Sequence, residues 1–351
     1  MRYCGMDVHA TSTVWCVLDE RGEVAREGRV ATAAATLEAL MRELGTQDEV
    51  RVGQEVGTMT YLVHDAVTAA GATILSFNAQ QLRMIAASRK KTDRRDAYWL
   101  AKALHAGMYP HPVYIPPAEI RAVRVVLSRR RLLKAEHNRW ICRTRAALRA
   151  AGHRVPAGAT ALRATVTSVL TTPTTASIVR DTLALCQRQE TTLRSELRQV
   201  EAALAACTGS IPAIERLMTV PAIGPLAAAT IYATVGDVHR FPTAKTLAAY
   251  AGLVPTVRQS GGVAHLGAIT KQGAPALRAT LIQAAHVLLS RCRGAEATPL
   301  QAIGQRIHTS RGRRKIAIVA LARHLLRIAY YILRDGTRYE PQRLGIMIDA
   351  A

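Results

Sequence analysis

Asp7 lies within an apolar, strand-like run near the start of the chain, where a lone buried carboxylate is expensive. Glu55 closes a second strand-like run, Val50 to Glu55, and in a central-sheet fold neighbouring strand ends converge on one point. Asp93 and Asp96 flank Arg94 and Arg95 at the i, i+3 spacing that sets two side chains on one helix face. Carboxylates crowded together repel unless a cation binds between them. Hard divalent cations, Mg2+ or Mn2+, favour such oxygen ligands, and a two-metal carboxylate site is a standard route to phosphoryl transfer on nucleic acid. Taken singly the acids have a plainer reading, since an Asp at a helix start ordinarily caps it. The four together say more than any one.

The elements that must position these acids belong to an α/β fold with a central sheet. Tyr3 to Leu18 holds two short strand-like runs, and a turn at Asp19-Glu20-Arg21-Gly22 leads into Glu23-Val24-Ala25. Helical stretches are expected at Thr36–Leu44, Tyr61–Ala70 and Arg94–Ala106, with strands at 50–55 and 72–77. Strands alternating with helices give the first domain, residues 1–112. Prolines 110, 112, 116 and 117 mark a linker. A helical arm, 113–206, follows; its two long helices, one from 119 to 154 and one from Thr175 to Ala206, suggest an antiparallel coiled coil of the kind that often serves dimerisation. In the second helix Ile178, Leu183, Leu185, Leu193, Leu197, Val200 and Leu204 form the apolar stripe, and 155–173, rich in Ala, Thr and Pro, reads as irregular.

The remainder, 207–351, is mostly helical. Ile211–Val220, a turn at Pro221-Ala222-Ile223-Gly224-Pro225 and Leu226–Val235 form a helix-hairpin-helix-like element, which can present backbone N–H groups to a phosphate. Leu253–Gly273 reads as a glycine-rich loop, with helices after it at Ala274–Ser290 and Ile316–Arg334.

Charge points to the partner. The 351 residues carry 47 Lys plus Arg against 25 Asp plus Glu, a net charge of +22, while 49% hydrophobic residues suffice to bury real cores. Such an excess calls for a polyanion, first of all nucleic acid. Eleven cations lie between Arg121 and Arg154 against one acid, Glu136, and Arg129, Arg130 and Arg131 are the densest of them. A charge run is ordinarily only a solvated face, and an Arg-rich composition also follows from GC-rich coding. The six cysteines are scattered, without C-x-x-C pairs, which argues against a disulfide framework or a structural zinc site. The apolar run Ile316–Leu333 is interrupted by Arg323, His324 and Arg327, so no membrane partner is expected, and a cytoplasmic, nucleoid-associated location follows.

The segments Gly5-Met6-Asp7-Val8-His9, Glu55 with Gly57 after it, and Lys91-Thr92-Asp93-Arg94-Arg95-Asp96-Ala97 resemble the DEDD transposases of insertion sequences. That family has an RNase H-like (RuvC-like) N-terminal domain and includes the Piv DNA invertases and bridge-RNA-guided recombinases. The resemblance continues through Pro221-Ala222-Ile223-Gly224, Phe241, Tyr250-Ala251-Gly252-Leu253-Val254-Pro255, Gln259-Ser260-Gly261-Gly262 and Ile269-Thr270-Lys271-Gln272-Gly273, and ends in Lys315–Ala320 with Arg323. Ala10 stands where family members often place Lys, and the residues after Glu55 follow the usual Glu-x-Thr-Gly pattern only loosely.

The resemblance implies an RuvC-like domain whose acids, here Asp7, Glu55, Asp93 and Asp96, bind Mg2+, a coiled-coil arm, and a C-terminal transposase domain supplying a nucleophilic serine, here Ser260. It implies a covalent phosphoserine intermediate, DNA as substrate at element ends and target, and a guide RNA encoded beside the gene. It further implies a homodimer or homotetramer in which acids and serine come from different protomers. Arg258, Lys271 and Arg278 are then candidate phosphate clamps. Without the resemblance Ser260 is a plain turn serine before two glycines. Two other classes remain: a metal-dependent, Holliday-junction-type endonuclease cutting with water, and a nucleic-acid-binding protein without catalysis.

Overall fold

The computed structural model describes residues 1–45, 49–85, 92–155, 157–173, 175–260, 263–291 and 299–343, in two compact units, Met1–Ile115 and Pro116–Ala351. The first unit contains β1 (Arg2–Val8), β2 (Ser12–Leu18), β3 (Val24–Ala31), α1 (Ala34–Leu44), β4 (Val50–Glu55), α2 (Thr60–Ala69), β5 (Thr73–Phe77), α3 (Ala79–Ile85) and α4 (Asp93–His105). Its five strands form one sheet in the order β3-β2-β1-β4-β5. The first three run antiparallel, and β4 and β5 run parallel to β1. Strand alternation sorts the side chains. Cys4, Met6, Trp15 and Val17 pack on Leu37 and Met41 of α1 and Val63 and Val67 of α2, while Val14, Cys16 and Leu18 pack on Ala97 and Ala101 of α4 on the opposite face. This mixed α/β sheet unit is consistent with an RNase H-like fold.

Gly5 is the closest approach of sheet to helix. A Cβ there would strike the Ala97 carbonyl and lie 2.5 Å from the Ala101 amide nitrogen, so only glycine lets α4 rest on β1. The helix begins at Asp93, one residue earlier than expected, and its N-cap is Thr92, whose hydroxyl accepts from the Arg95 amide at 3.4 Å. Capping by Thr92 leaves Asp93 at the first helical position, so the plain reading of Asp93 as the cap does not hold.

The second unit comprises α5 (Ala118–Ala150), α6 (Ala159–Thr171), α7 (Ser177–Thr208), α8 (Pro212–Met218), α9 (Pro225–Val235), α10 (Ala244–Tyr250), a hairpin of β6 (Pro255–Ser260) and β7 (Val263–Ile269), then α11 (Pro275–Arg291), α12 (Pro299–Arg311) and α13 (Arg314–Asp335). The two long helices α5 and α7 pack side by side. They are antiparallel, because Arg130 pairs with Glu201 while the later His137 meets the earlier Glu190. The stripe that α7 buries is Leu183, Cys186, Glu190, Leu193, Leu197, Val200 and Leu204, at alternating three- and four-residue steps. Ile178 and Leu185, expected in that stripe, are 71% and 41% exposed.

Two expectations are overturned. Residues 155–173 are not irregular, because α6 buries Leu162, Val166 and Val169 against Leu148 and Leu183. Its threonines are accommodated by bonding back to the preceding turn, as Thr165 does to the Ala161 carbonyl at 3.0 Å. The stretch 253–273 is not a loop but carries the β6–β7 hairpin, antiparallel with Ser260 opposite Val263. Glycines close its base: Gly273, at φ +83, lies so tightly on the Tyr250 carbonyl that no Cβ fits.

The main core of this unit gathers Leu217, Ile231, Leu247, Leu281 and the buried face of α13. Among the described residues α13 is the one helix long and apolar enough to cross a membrane by length and composition, yet it buries Leu321, Leu325 and Ile328 in that core. Arg327, expected on a basic face, is itself buried.

Candidate active site

Register places the first two acids. Met6 of β1 pairs in parallel with Gln54 of β4, so Asp7 and Glu55 each lie one step further, at the same edge of the sheet and on the face that carries α4. The chain after β4 is fixed locally. The buried Gln54 amide donates to the Thr60 carbonyl at 3.2 Å and to Ser76 Oγ at 3.0 Å, and Thr60 Oγ1 accepts from the Gly57 amide at 2.7 Å. Glu55 itself is exposed.

The N-terminus of α4 delivers Asp93 to Asp7, and His9 stands between them. His9 Nε2 lies 3.3 Å from Asp7 Oδ2 and 3.4 Å from Asp93 Oδ2. Ligand atoms of these three residues fall within 4.8 Å of one another. His9 is held in the β1–β2 turn by its amide, which donates to the Ser12 carbonyl, and by its carbonyl, which accepts from Thr32 Oγ1 at 2.8 Å. Arg29 of β3 donates to Asp93 Oδ2 at 3.2 Å, and Arg94 makes a two-pronged pair with Glu27 that clamps the start of α4 to β3. Two carboxylates and an imidazole at this spacing form a donor set that fits a divalent cation. The side chains are 22% (Asp7), 47% (His9) and 44% (Asp93) exposed, so the cluster is open to a substrate.

Of the four expected acids, Asp7 and Asp93 are thus brought together. Asp96, partly buried one turn along α4, and Glu55 are not members of this cluster among the described residues. His9 was quoted only as part of a motif in the sequence. The signal that could have singled it out is its position two residues beyond Asp7, where the strand gives way to a tight turn.

The remaining candidates lie in the second unit. Ser260 ends β6, immediately before the turn of the hairpin; its side chain, that of Arg258, and Lys91, Gly261 and Gly262 lie outside the described residues. Lys271 is exposed and holds φ +55, a conformation uncommon for a non-glycine residue, next to the hairpin base. Arg278 donates from Nη1 to the carbonyls of Ala251 (3.0 Å) and Gln272 (3.4 Å), which ties α11 to that base. On α5, Arg129 and Arg131 are exposed, and Arg130 is paired with Glu201 at 2.7 Å.

Two family models match the chain. A DEDD transposase model of the IS110 type matches residues 4–152, and the transposase IS116/IS110/IS902 family model matches residues 214–300. A probable family 20 transposase of Pseudomonas aeruginosa is 35% identical over 159 residues, 42% of this chain and 46% of the relative. A putative transposase of Sinorhizobium fredii is 25% identical over 74% of this chain and 67% of the relative. The pilin gene-inverting protein of Moraxella lacunata is 33% identical over 35% of this chain and 38% of the relative. The match to the Pseudomonas protein therefore spans about half of that relative's length.

Proposed function

We propose that this chain, which carries the two transposase domains of the IS110/IS116 family, is a DNA transposase or site-specific recombinase that cleaves and rejoins strands. The observation that supports this most is the Asp7–His9–Asp93 cluster at the sheet edge, inside the segment matched by the DEDD model. Asp7 and Asp93 would hold a divalent cation, Mg2+ or Mn2+, with His9, and Glu55 and Asp96 would complete the set from the same edge and the same helix. When bound, the cation supplies Lewis-acid stabilisation of charge on a scissile phosphate.

Ser260 is the proposed nucleophile. Its Oγ attacks phosphorus and loses its proton, the bond from phosphorus to the leaving strand oxygen breaks, and that oxygen departs as a hydroxyl. A hydroxyl of the incoming strand then attacks the phosphoserine and releases Ser260. Each step exchanges one phosphoester for another, so rejoining needs no energy-rich co-substrate. Arg258 and Lys271 would hold the phosphate, and Arg278 would hold the hairpin base in place. Partners in this reading are DNA at element ends and target, and a guide RNA along α5 at Arg129, Arg130 and Arg131. The assembly is a homodimer or homotetramer whose arms pair, acids and serine coming from different protomers; the location is cytoplasmic and nucleoid-associated.

The test is formation of recombinant DNA junctions in cells carrying the gene with its native flanks. Wild type should form them, and Ser260→Ala and Asp7→Asn should not. Junctions from Ser260→Ala would replace the covalent route with a metal-dependent endonuclease using water. Junctions from Asp7→Asn would remove the metal site from the mechanism.

A further inference from the structure

Within the second unit, α5, α9, α10 and α11 enclose a groove of about 640 Å3, in the size range of about 300–1,000 Å3 typical of small-molecule sites. One wall is cationic, formed by Arg124, Arg130, Arg131 and Lys134 of α5. The floor is apolar, with Leu127, Leu226, Ala233, Ala276 and Ala279, and no carboxylate lines it.

The four cations are not equivalent. Arg124 donates from Nε to the Ala233 carbonyl at 2.7 Å, which joins α5 to the end of α9. Arg130 is committed to Glu201, with both Nε (2.9 Å) and Nη2 (2.7 Å) on one carboxylate oxygen. Arg131 and Lys134 are exposed, make no ion pair among the described residues, and lie three positions apart on one helix face. Two unneutralised charges therefore stand over an apolar floor. The complement of that arrangement is an anion that carries a flat apolar body.

A duplex offers phosphates but keeps its bases stacked inside; an unpaired nucleotide offers both a phosphate and a free base face. Tyr250 supplies an aromatic surface in the groove and is held by its neighbours, with the Phe241 ring 5.2 Å away and the Arg240 guanidinium 4.7 Å from its centre. Ser128, Asn138 and Thr280 add hydroxyl and amide groups between floor and rim, suited to a ribose 2′-hydroxyl, the group that separates RNA from DNA. We infer that this groove binds an unpaired nucleotide of single-stranded RNA, its phosphate on Arg131 and Lys134 and its base over the apolar floor. The inference rests on the proposed nucleic-acid reading and assigns one surface to the RNA.

The test is fluorescence anisotropy of the full chain with labelled 12-nucleotide oligouridylate, against oligothymidylate of equal length. Arg131→Ala/Lys134→Ala should weaken oligouridylate binding about 10-fold or more and lower the salt slope by about 1.4, at about 0.7 per phosphate lost from a single strand. Ala279→Trp, which fills the floor without changing charge, should weaken binding comparably at an unchanged melting temperature. Arg143→Ala/Arg149→Ala removes the same charge from the same helix outside the groove and should change affinity less than about twofold.

Equal losses from the Arg131/Lys134 and Arg143/Arg149 pairs would reduce the effect to bulk charge and overturn the site. So would a well-folded Ala279→Trp that binds like wild type. Oligothymidylate bound as tightly as oligouridylate would overturn the assignment to RNA. The recombination reading fails separately, if Ser260→Ala still forms junctions, whatever these affinities show.

Discussion

Gly5→Ala tests how the sheet positions the candidate metal cluster. The added Cβ would meet main-chain atoms of α4, the Ala97 carbonyl and the Ala101 nitrogen at 2.5 Å, and the Leu100 Cβ at 2.8 Å. Ordinary contact begins at 3.4 Å, and no rotamer change relieves a clash with backbone, so α4 must withdraw from β1 by about 1 Å. Overpacking of this kind costs about 1–3 kcal/mol. The main-chain partners put this case near the upper end, which at about 4 °C per kcal/mol lowers the melting of the first unit by about 10 °C. Because α4 carries Asp93 to within 3.4 Å of His9, the same retreat opens the cluster, and a misplacement of about 1 Å can cost about 100-fold in rate. The assays are thermal unfolding, hydrogen exchange across β1 and α4, and counting of recombinant junctions. Ala97→Gly added to Gly5→Ala should rescue nothing, since the obstructing atom is a backbone oxygen. Gly57→Ala, whose Cβ meets nothing within 4 Å, is the matched control. A Gly5→Ala protein that melts and recombines within error of Gly57→Ala would refute the close strand–helix contact and its link to the site.

Burial, together with Arg327, Arg323 and Arg306, pulls the pKa of His324 down to about 4. The unfolded chain therefore binds the extra proton from about pH 6.5 downward; the stability linked to neutral His324 is complete above that pH and is lost as pH falls through 4. Wild type should lose about 2–3 kcal/mol more than His324→Gln between pH 7 and pH 4 in urea unfolding, and parallel curves would refute this. Glu190, with a side chain 6% exposed, faces Arg163 at 3.3 Å and His137 at 3.5 Å, so Glu190→Ala strands two groups and should cost about 3 kcal/mol by the urea midpoint. His9→Ala should weaken Mn2+ binding about 10-fold or more in calorimetric titration, and unchanged affinity would remove His9 from the donor set.

Sequence patterns revealed most of the first unit because alternation and turn residues agree there: Cys4 and Met6 face one way, Gly5 and Asp7 the other, and Asp19–Gly22 turns the chain. They failed where composition and packing disagree. Thr- and Ala-rich α6 lacks helix-forming bias, yet Leu162, Val166 and Val169 at i, i+4, i+7 bury it against Leu148 and Leu183. Glycines 252, 261, 262, 267 and 273 suggest a loop, whereas Gly267 makes room for Thr256 across the hairpin and Gly273 closes its base. Asp93 and Asp96 were legible as a pair from their spacing, but spacing cannot show that Asp93, and not Asp96, meets Asp7, since that depends on where Gly5 lets α4 rest.

Counting charges meets the same limit. Eleven cations between Arg121 and Arg154 read alike in the sequence, but the fold uses Arg124 to tie α5 to α9 and Arg130 to tie it to α7. Neutralising Arg130 therefore breaks an internal pair and frees Glu201 as an added negative charge, whereas neutralising Arg131 removes only an outward cation. If α5 holds nucleic acid chiefly through its outward cations, Arg131→Ala should lower affinity with little loss of stability, and Arg130→Ala should lower stability as well. Identical effects on both quantities would mean that charge number, and not the sorting of these side chains by the fold, governs the interaction.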